Sequence, residues 1–199
     1  VELTIRNGKK ILYQDFGEMM FTHKGITGPL VLSASSSIGK QLKKQGTLEG
    51  YIDLKPALSS EQLDERILRE FENAKNKQFK NVIGVLFPSS LTPVIIRLGG
   101  IPEDKVIHEI SREERLNFVS IIKAFPFTID GLGGYSEAVI TKGGISVKEI
   151  NPGTMESKKT PQLYFAGEVL DLDAVTGGYN LQIAWSTGYL AGMAVSENI

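Results

Sequence analysis

Tyr164-Phe165-Ala166-Gly167-Glu168, with Asp171 and Asp173 behind it and Thr176-Gly177-Gly178-Tyr179-Asn180 further on, is the stretch that decides how this chain is read. An apolar run, predicted as a buried strand over 162–166, ends in Gly-Glu. A short acidic segment follows, and a Gly-Gly pair opens a sequence with helical periodicity. A strand that delivers backbone and one carboxylate to a helix N-terminus is a place to hold a polar cofactor. That end carries unpaired N–H groups and a partial positive charge of about half an elementary unit. Glu168 falls at the carboxyl end of the predicted strand, where open α/β sheets bind ligands. It is either an acceptor for sugar hydroxyls or an ordinary solvated loop acid.

Outward from this stretch, 176–180 reads either as a nest of backbone donors, with glycines that let a ligand approach, or as a tight loop starting a helix. The helix that follows, 181–195, has a face of small residues: Ala184, Gly188, Ala191 and Gly192. Interior glycines cost about 1 kcal/mol each relative to alanine. They make sense where another backbone or a flat ligand lies very close. Upstream, Thr141-Lys142-Gly143-Gly144-Ile145 joins two β-branched runs, 138–141 and 145–150. It is a hairpin turn, or a second glycine segment facing the same ligand. Asp171 and Asp173 could be paired acids for glycoside chemistry, but i, i+2 spacing in a loop is equally that of solvated acids.

The first part of the chain has a different character. Val1, Leu3 and Ile5 alternate with polar residues, Asn7-Gly8 turns, and Ile11 and Tyr13 resume the alternation, which predicts a β-hairpin. Pro29 suits the first turn of a helix carrying Leu30, Val31, Ala34, Ile38 and Leu42, with Gly46 near its end. The run 48–54 reads as a strand. Ser59 with Gln62 and Ser111 with Glu114 are capping boxes. The first opens a helix reaching about Asn76; the second opens one that buries Leu116, Val119 and Ile122. Two short helices are expected between Phe79 and Ile101, which makes a helical subdomain over 59–123. The strand pattern returns at 127–129.

The chain has 199 residues, a net charge of −1, 41% hydrophobic residues and no cysteine. That fits one large domain or two small ones. Disulfides, thiolate catalysis and Cys-ligated metal are excluded, and no broad cationic surface for nucleic acid or anionic membrane is expected. His23 and His108 have no ligand spacing, so no metal site is expected. His23, in the loop before Pro29, is a proton carrier or a hydrogen-bonded structural residue. With no signal peptide and no apolar run of the ~20 residues that span a bilayer, a cytoplasmic location and no membrane partner are expected. Val1 is not an initiator Met and begins directly in an alternating pattern, so the chain reads as truncated.

Three motifs resemble a known family. Gly167-Glu168-Val169-Leu170-Asp171 followed by Thr176-Gly177-Gly178-Tyr179-Asn180-Leu181-Gln182 resembles the carboxyl-terminal flavin motif of the BaiN/YhiN-like flavoproteins, a group that includes aminoacetone oxidase. Ile140-Thr141-Lys142-Gly143-Gly144-Ile145 resembles their Val-Thr-x-Gly-Gly-Val segment. Met20-Phe21-Thr22-His23 through Gly28-Pro29 resembles their Leu-Phe-Thr-His-x-Gly-x-Ser-Gly-Pro signature, with Thr27 in place of Ser.

The resemblance implies an α+β chain and an FAD-dependent oxidoreductase as its parent. Residues 1–138 would be an insert domain, a small β-barrel with the helical subdomain. Residues 139–199 would be the carboxyl-terminal strand-helix part of an FAD-binding Rossmann-like domain. Glu168, beside Gly167, would hold the ribityl chain. Thr176, Gly177, Gly178, Tyr179, Asn180 and Leu181 would present backbone to the pyrimidine edge of the flavin ring, and Gly143 and Gly144 would pass near the same ring. No catalytic residue is assigned.

The departure is the nucleotide half. Gly131-Leu132-Gly133-Gly134 begins like Gly-x-Gly-x-x-Gly, but Ser136 stands where the fingerprint needs glycine. The expected partner is therefore a missing amino-terminal FAD-binding segment. Without it the isolated chain is expected to lack FAD and turnover, since each lost hydrogen bond to a charged group forfeits ~1.5–3 kcal/mol. NAD(P)H is admitted as a partner of the parent. Exposed strand edges would favour a homodimer. The rival reading is a non-enzymatic interaction or lid module with glycine-rich loops.

Overall fold

The structure, a computed structural model, describes residues 1–197; the last two residues of the predicted second domain lie outside the described residues. The chain divides into two compact units, Val1–Leu30 with Lys40–Asp130, and Val31–Gly39 with Gly131–Ile199.

The first unit begins with strands β1 (Glu2–Asn7) and β2 (Lys10–Phe16), paired antiparallel as Glu2↔Phe16 through Ile5↔Tyr13, with a register shift between Ile5 and Arg6. Gly8, at φ +57°, makes the turn that Asn7-Gly8 predicts. A small hairpin follows, β3 (Met20–Thr22) with β4 (Gly25–Thr27). Helix α1 (Pro29–Gln45), whose residues 31–39 belong to the second unit, starts at the expected proline and stops at Gly46, whose N–H bonds the Leu42 carbonyl at 2.8 Å. Strand β5 (Leu48–Asp53) pairs with β1, Leu3 opposite Ile52.

Helix α2 (Ser60–Glu72) carries the predicted capping box: Ser59 Oγ accepts from the Gln62 N–H at 3.2 Å, and Gln62 Oε1 from the Ser59 N–H at 2.9 Å. It buries Leu63, Ile67 and Phe71 but ends before Asn76, because Ala74 and Lys77 turn back onto Phe71 and Ala74. The two short helices are α3 (Phe79–Ile83) and α4 (Thr92–Gly99).

The second capping box opens α5 (Arg112–Lys123). Its buried stripe runs through Phe118, Val119 and Ile122; Leu116, expected inside, lies off that stripe and is 41% exposed. Phe118 meets Phe79 edge-on at 5.1 Å, and Arg115 holds Asp64 of α2 at 2.6 and 3.2 Å. Strand β6 (Phe125–Ile129) completes a four-stranded antiparallel sheet in the order β2-β1-β5-β6. Its inward residues include Leu3, Ile5, Leu48 and Ile52. Gly50 on β5 has no room for a side chain, because the Phe127 ring of β6 lies over it.

The second unit corrects the strand reading. The 162–166 run is no strand: Gln162 has φ +60°, a left-handed backbone that ends an extended run, and Leu163 is exposed. Its neighbours bond singly, Phe165 N–H to Met155 O at 3.0 Å and Ser157 N–H to Leu163 O at 2.7 Å. The 145–150 run is interrupted by a 3₁₀ turn at Val147–Glu149, leaving Ile145 and Ile150 in isolated bridges to Leu170 and Ser157. The 138–141 run makes no ladder either; the Thr141 N–H goes to a carboxylate. Ile150, Met155 and Leu170 form a small core, joined by Ile145, Phe165, Leu190 and Ala191. The predicted helix is present as α6 (Tyr179–Glu197). Among the described residues no helix is long and apolar enough to cross a membrane.

Candidate functional site

Every residue named above as a flavin contact lies in the second unit. Gly167 and Glu168 occupy a single 3₁₀ turn, Gly167–Val169. Gly167, at φ +74°, donates its N–H to Thr187 Oγ1 at 3.0 Å, and that buried hydroxyl donates to Ile183 O at 2.7 Å within α6. The Gly-Glu turn is thereby fastened to the helix. The Glu168 carboxylate reaches the other glycine segment: Oε1 accepts the Thr141 N–H at 2.5 Å and the Thr141 hydroxyl at 2.8 Å. The backbone donor, then the hydroxyl, holds Glu168 below its ordinary pKa of 4.5.

The two glycines after Thr141-Lys142 differ. Gly144, at φ +133°, lies so close to the Val169 carbonyl that a Cβ would collide with it. The surrounding bonds, Ile145 N–H to Val169 O and Asp171 N–H to Ile145 O, are both 2.8 Å. The close approach that Gly144 permits is therefore to the protein's own backbone. Gly143, at φ +107°, has open space where a side chain would be.

The acidic segment is not simply solvated. Asp171 is exposed, but Asp173 has a side chain only 15% exposed. Its Oδ2 accepts from Ser36 Oγ of α1 at 2.5 Å and pairs with Lys142 Nζ at 3.2 Å. The Ser36 hydroxyl, then Lys142, keeps Asp173 below its ordinary 3.8 against the opposing effect of burial. Nothing local in the sequence signals Ser36 or Thr187. Lys142 stood inside a quoted motif without being singled out.

Asn180 closes the last loop. Its Oδ1 accepts the Ala174 N–H at 2.9 Å and its Nδ2 donates to Ala174 O at 3.0 Å. Thr176, Gly177, Gly178, Tyr179 and Leu181 are exposed, with both glycines at positive φ. The structure thus ties the segment carrying Gly143 and Gly144 to the Gly167–Val169 turn through its flanking residues, Thr141 bonding Glu168 and Ile145 bonding Val169. Thr176, Gly177 and Gly178 lie in a loop that Asn180 closes on Ala174, and Tyr179, Asn180 and Leu181 begin α6. His23 is exposed in the turn between β3 and β4, and His108 Nδ1 lies 3.0 Å from Lys75 O. Among the described residues no group of acids and histidines could hold a metal ion.

An antiparallel sheet with a capped-helix subdomain, followed by a glycine-rich unit built on one long helix, defines the class of this α+β chain. A family model described as the HI0933-like protein barrel and H2TH domain matches residues 1–140, and the chain belongs to that family. It is 31% identical over 190 residues to a 3-dehydro-bile acid delta(4,6)-reductase of Clostridium scindens, covering 96% of this chain and 46% of that protein. It is 36% identical over 182 residues to a ribosomal RNA dihydrouridine synthase of Haemophilus influenzae, covering 92% and 43%. The corresponding Escherichia coli synthase is 34% identical over 172 residues, covering 86% and 40%. The chain spans less than half the length of these curated relatives. The family that the three motifs pointed to is borne out.

Proposed function

We propose that this chain is part of an FAD-dependent oxidoreductase that reduces a conjugated carbon–carbon double bond, and that its second unit holds the ribityl and ring end of the flavin. The observation that carries the reading is the Thr141–Glu168 contact, which brings the Gly143-Gly144 loop to the Gly167-Glu168 turn within one unit. The donor set suits a flavin. Glu168 is an exposed acceptor fit for a sugar-like hydroxyl, and Gly143 and Gly178 leave backbone open, with nothing within 4 Å of a would-be side chain. Gly144 fits less well, being closed by Val169.

A delta(4,6)-reductase and a dihydrouridine synthase act on different molecules. Both names fit the saturation of a conjugated C=C, which takes two electrons and two protons for each double bond reduced. Flavin supplies that two-electron chemistry when bound. In this reading Glu168 orients the ribityl chain, and backbone at 177–180 and Gly143 faces the ring. Residues 1–138 form the insert domain. The adenosine and pyrophosphate half belongs to an amino-terminal segment outside this sequence, with NAD(P)H as a candidate hydride source. A cytoplasmic location belongs to the same proposal.

The test is a thermal-shift titration of the chain with FMN, FAD and ADP. Stabilisation by FMN and FAD alike, with ADP inert, supports the reading, because only the ring end finds contacts here. Stabilisation by ADP equal to that by FAD, or by none of the three, overturns it and favours an interaction module.

A further inference from the structure

The flavin reading leaves unused the polar cluster in which Ser36, Lys142 and Asp173 meet in the second unit. We propose that Ser36, Lys142 and Asp173 form a latch that sets the spacing of the two glycine loops, 141–144 and 174–180, so that Lys142 and Asp173 are positioning residues for whatever those loops hold. The geometry is specific. A single oxygen, Asp173 Oδ2, takes both the Ser36 hydroxyl at 2.5 Å and the Lys142 ammonium at 3.2 Å. Lys142 Nζ also lies 3.1 Å from Ser36 Oγ and 3.2 Å from Ser36 O. Ser36 contributes the fixed point, because it sits within a 17-residue helix.

One end of the latch, Lys142, lies within the first glycine loop, and the other, Asp173, lies one residue before the second. Lys142 precedes Gly143, and its other neighbour, Thr141, is pinned to Glu168. Asp173 precedes Ala174, whose N–H and C=O are both taken by the Asn180 side chain. Displacing Asp173 therefore displaces the loop that Asn180 closes. Gly143, Gly144, Gly177 and Gly178 all stand at positive φ. Glycine segments of this kind lose the most conformational freedom on ordering, so an external restraint has the most to do there. Lys142 is 48% exposed, so its ion pair alone adds little stability. Its contribution is geometric: it and Ser36 meet on one oxygen of a largely buried acid. That the loops hold a flavin rests on the preceding reading; the latch itself does not.

The experiment is amide hydrogen exchange on the full chain, with FMN fluorescence titrations alongside. Asp173→Asn and Lys142→Met should each speed exchange about 5- to 10-fold in both 141–144 and 174–180, while α2 and α5 stay at native protection. The double variant should add little to either, and Lys142→Arg should remain close to native. Faster exchange confined to the substituted residue's own loop, or none, overturns the latch. Where the native chain binds FMN, a roughly 5-fold weaker affinity for Asp173→Asn, preserved by Lys142→Arg, supports positioning, and unchanged affinity overturns it. A native chain that leaves FMN fluorescence untouched overturns the flavin reading, and the exchange result still decides the latch.

Discussion

Glu168 receives both donors of Thr141 on one oxygen, the backbone N–H at 2.5 Å and the hydroxyl at 2.8 Å. Both favour the charged carboxylate, so its folded pKa lies below 4.5, with the backbone donor the larger cause. A depressed folded pKa means the contact is complete above the ordinary value and is lost as pH falls below 4.5 through the folded value. Thr141→Val should move the Glu168 titration part of the way back up, because it removes only the smaller cause. Carbon-13 shifts of the Glu168 carboxyl against pH measure this. A native titration at or above 4.5 would show that the contact is not made in solution.

Gly143 and Gly144 are neighbours with different reasons to be glycine, and substitution separates them. Gly144→Ala meets the Val169 carbonyl as well as an unfavourable φ, and should lower stability by roughly 2–4 kcal/mol. Gly143→Ala meets only the φ penalty and should lower it by about 1–2 kcal/mol. Urea denaturation of the two variants compares them directly. Equal losses would mean that the close approach to Val169 does not constrain the loop.

In the first unit the Phe118 ring of α5 fills the place that a Gly99 Cβ on α4 would take. Phe118→Ala should cost ~3–5 kcal/mol, since the ring is fully buried against Phe79. Gly99→Ala should cost ~1–3 kcal/mol by overpacking. The double variant should lose clearly less than the sum, because removing the ring makes room for the methyl. Additive losses in urea titrations would refute the contact.

What could be read in advance was local. Ser59 and Gln62, or Ser111 and Glu114, sit three residues apart and satisfy each other wherever the rest of the chain goes, so both helix starts were visible. Pro29 and Gly46 bounded α1 for the same reason. The strands of the second unit were misread because alternation and β-branching describe a residue's fit to a sheet, not the presence of a ladder partner. The left-handed backbones of Met155 and Gln162, both non-glycine, carry no sequence signature. The Ser36–Asp173 bond joins residues 137 apart in sequence, and no spacing rule reaches that far. The glycine motifs marked the right segments, yet Gly144 turned out to serve backbone packing.

Helix α6 gives the last prediction. Between Tyr179 and Ser196 it carries no charged residue, and a helix that is apolar all round normally belongs in a buried place. Its inner face, including Thr187 and Ala194, is covered, but Trp185 is 66% and Tyr189 69% exposed, and a side chain at Gly188 or Gly192 would meet open space. Nothing within the described residues requires glycine at those two positions. Gly188→Ala and Gly192→Ala should therefore each raise the stability of the chain by about 0.5–1 kcal/mol, through helix propensity alone. Thermal melts check the sign. A gain in the bare chain together with weaker binding of an added occupant would show that the glycines are kept for a surface that approaches this face. A loss in the bare chain would show the face already covered in solution, and light scattering on the same samples would report whether a second copy covers it.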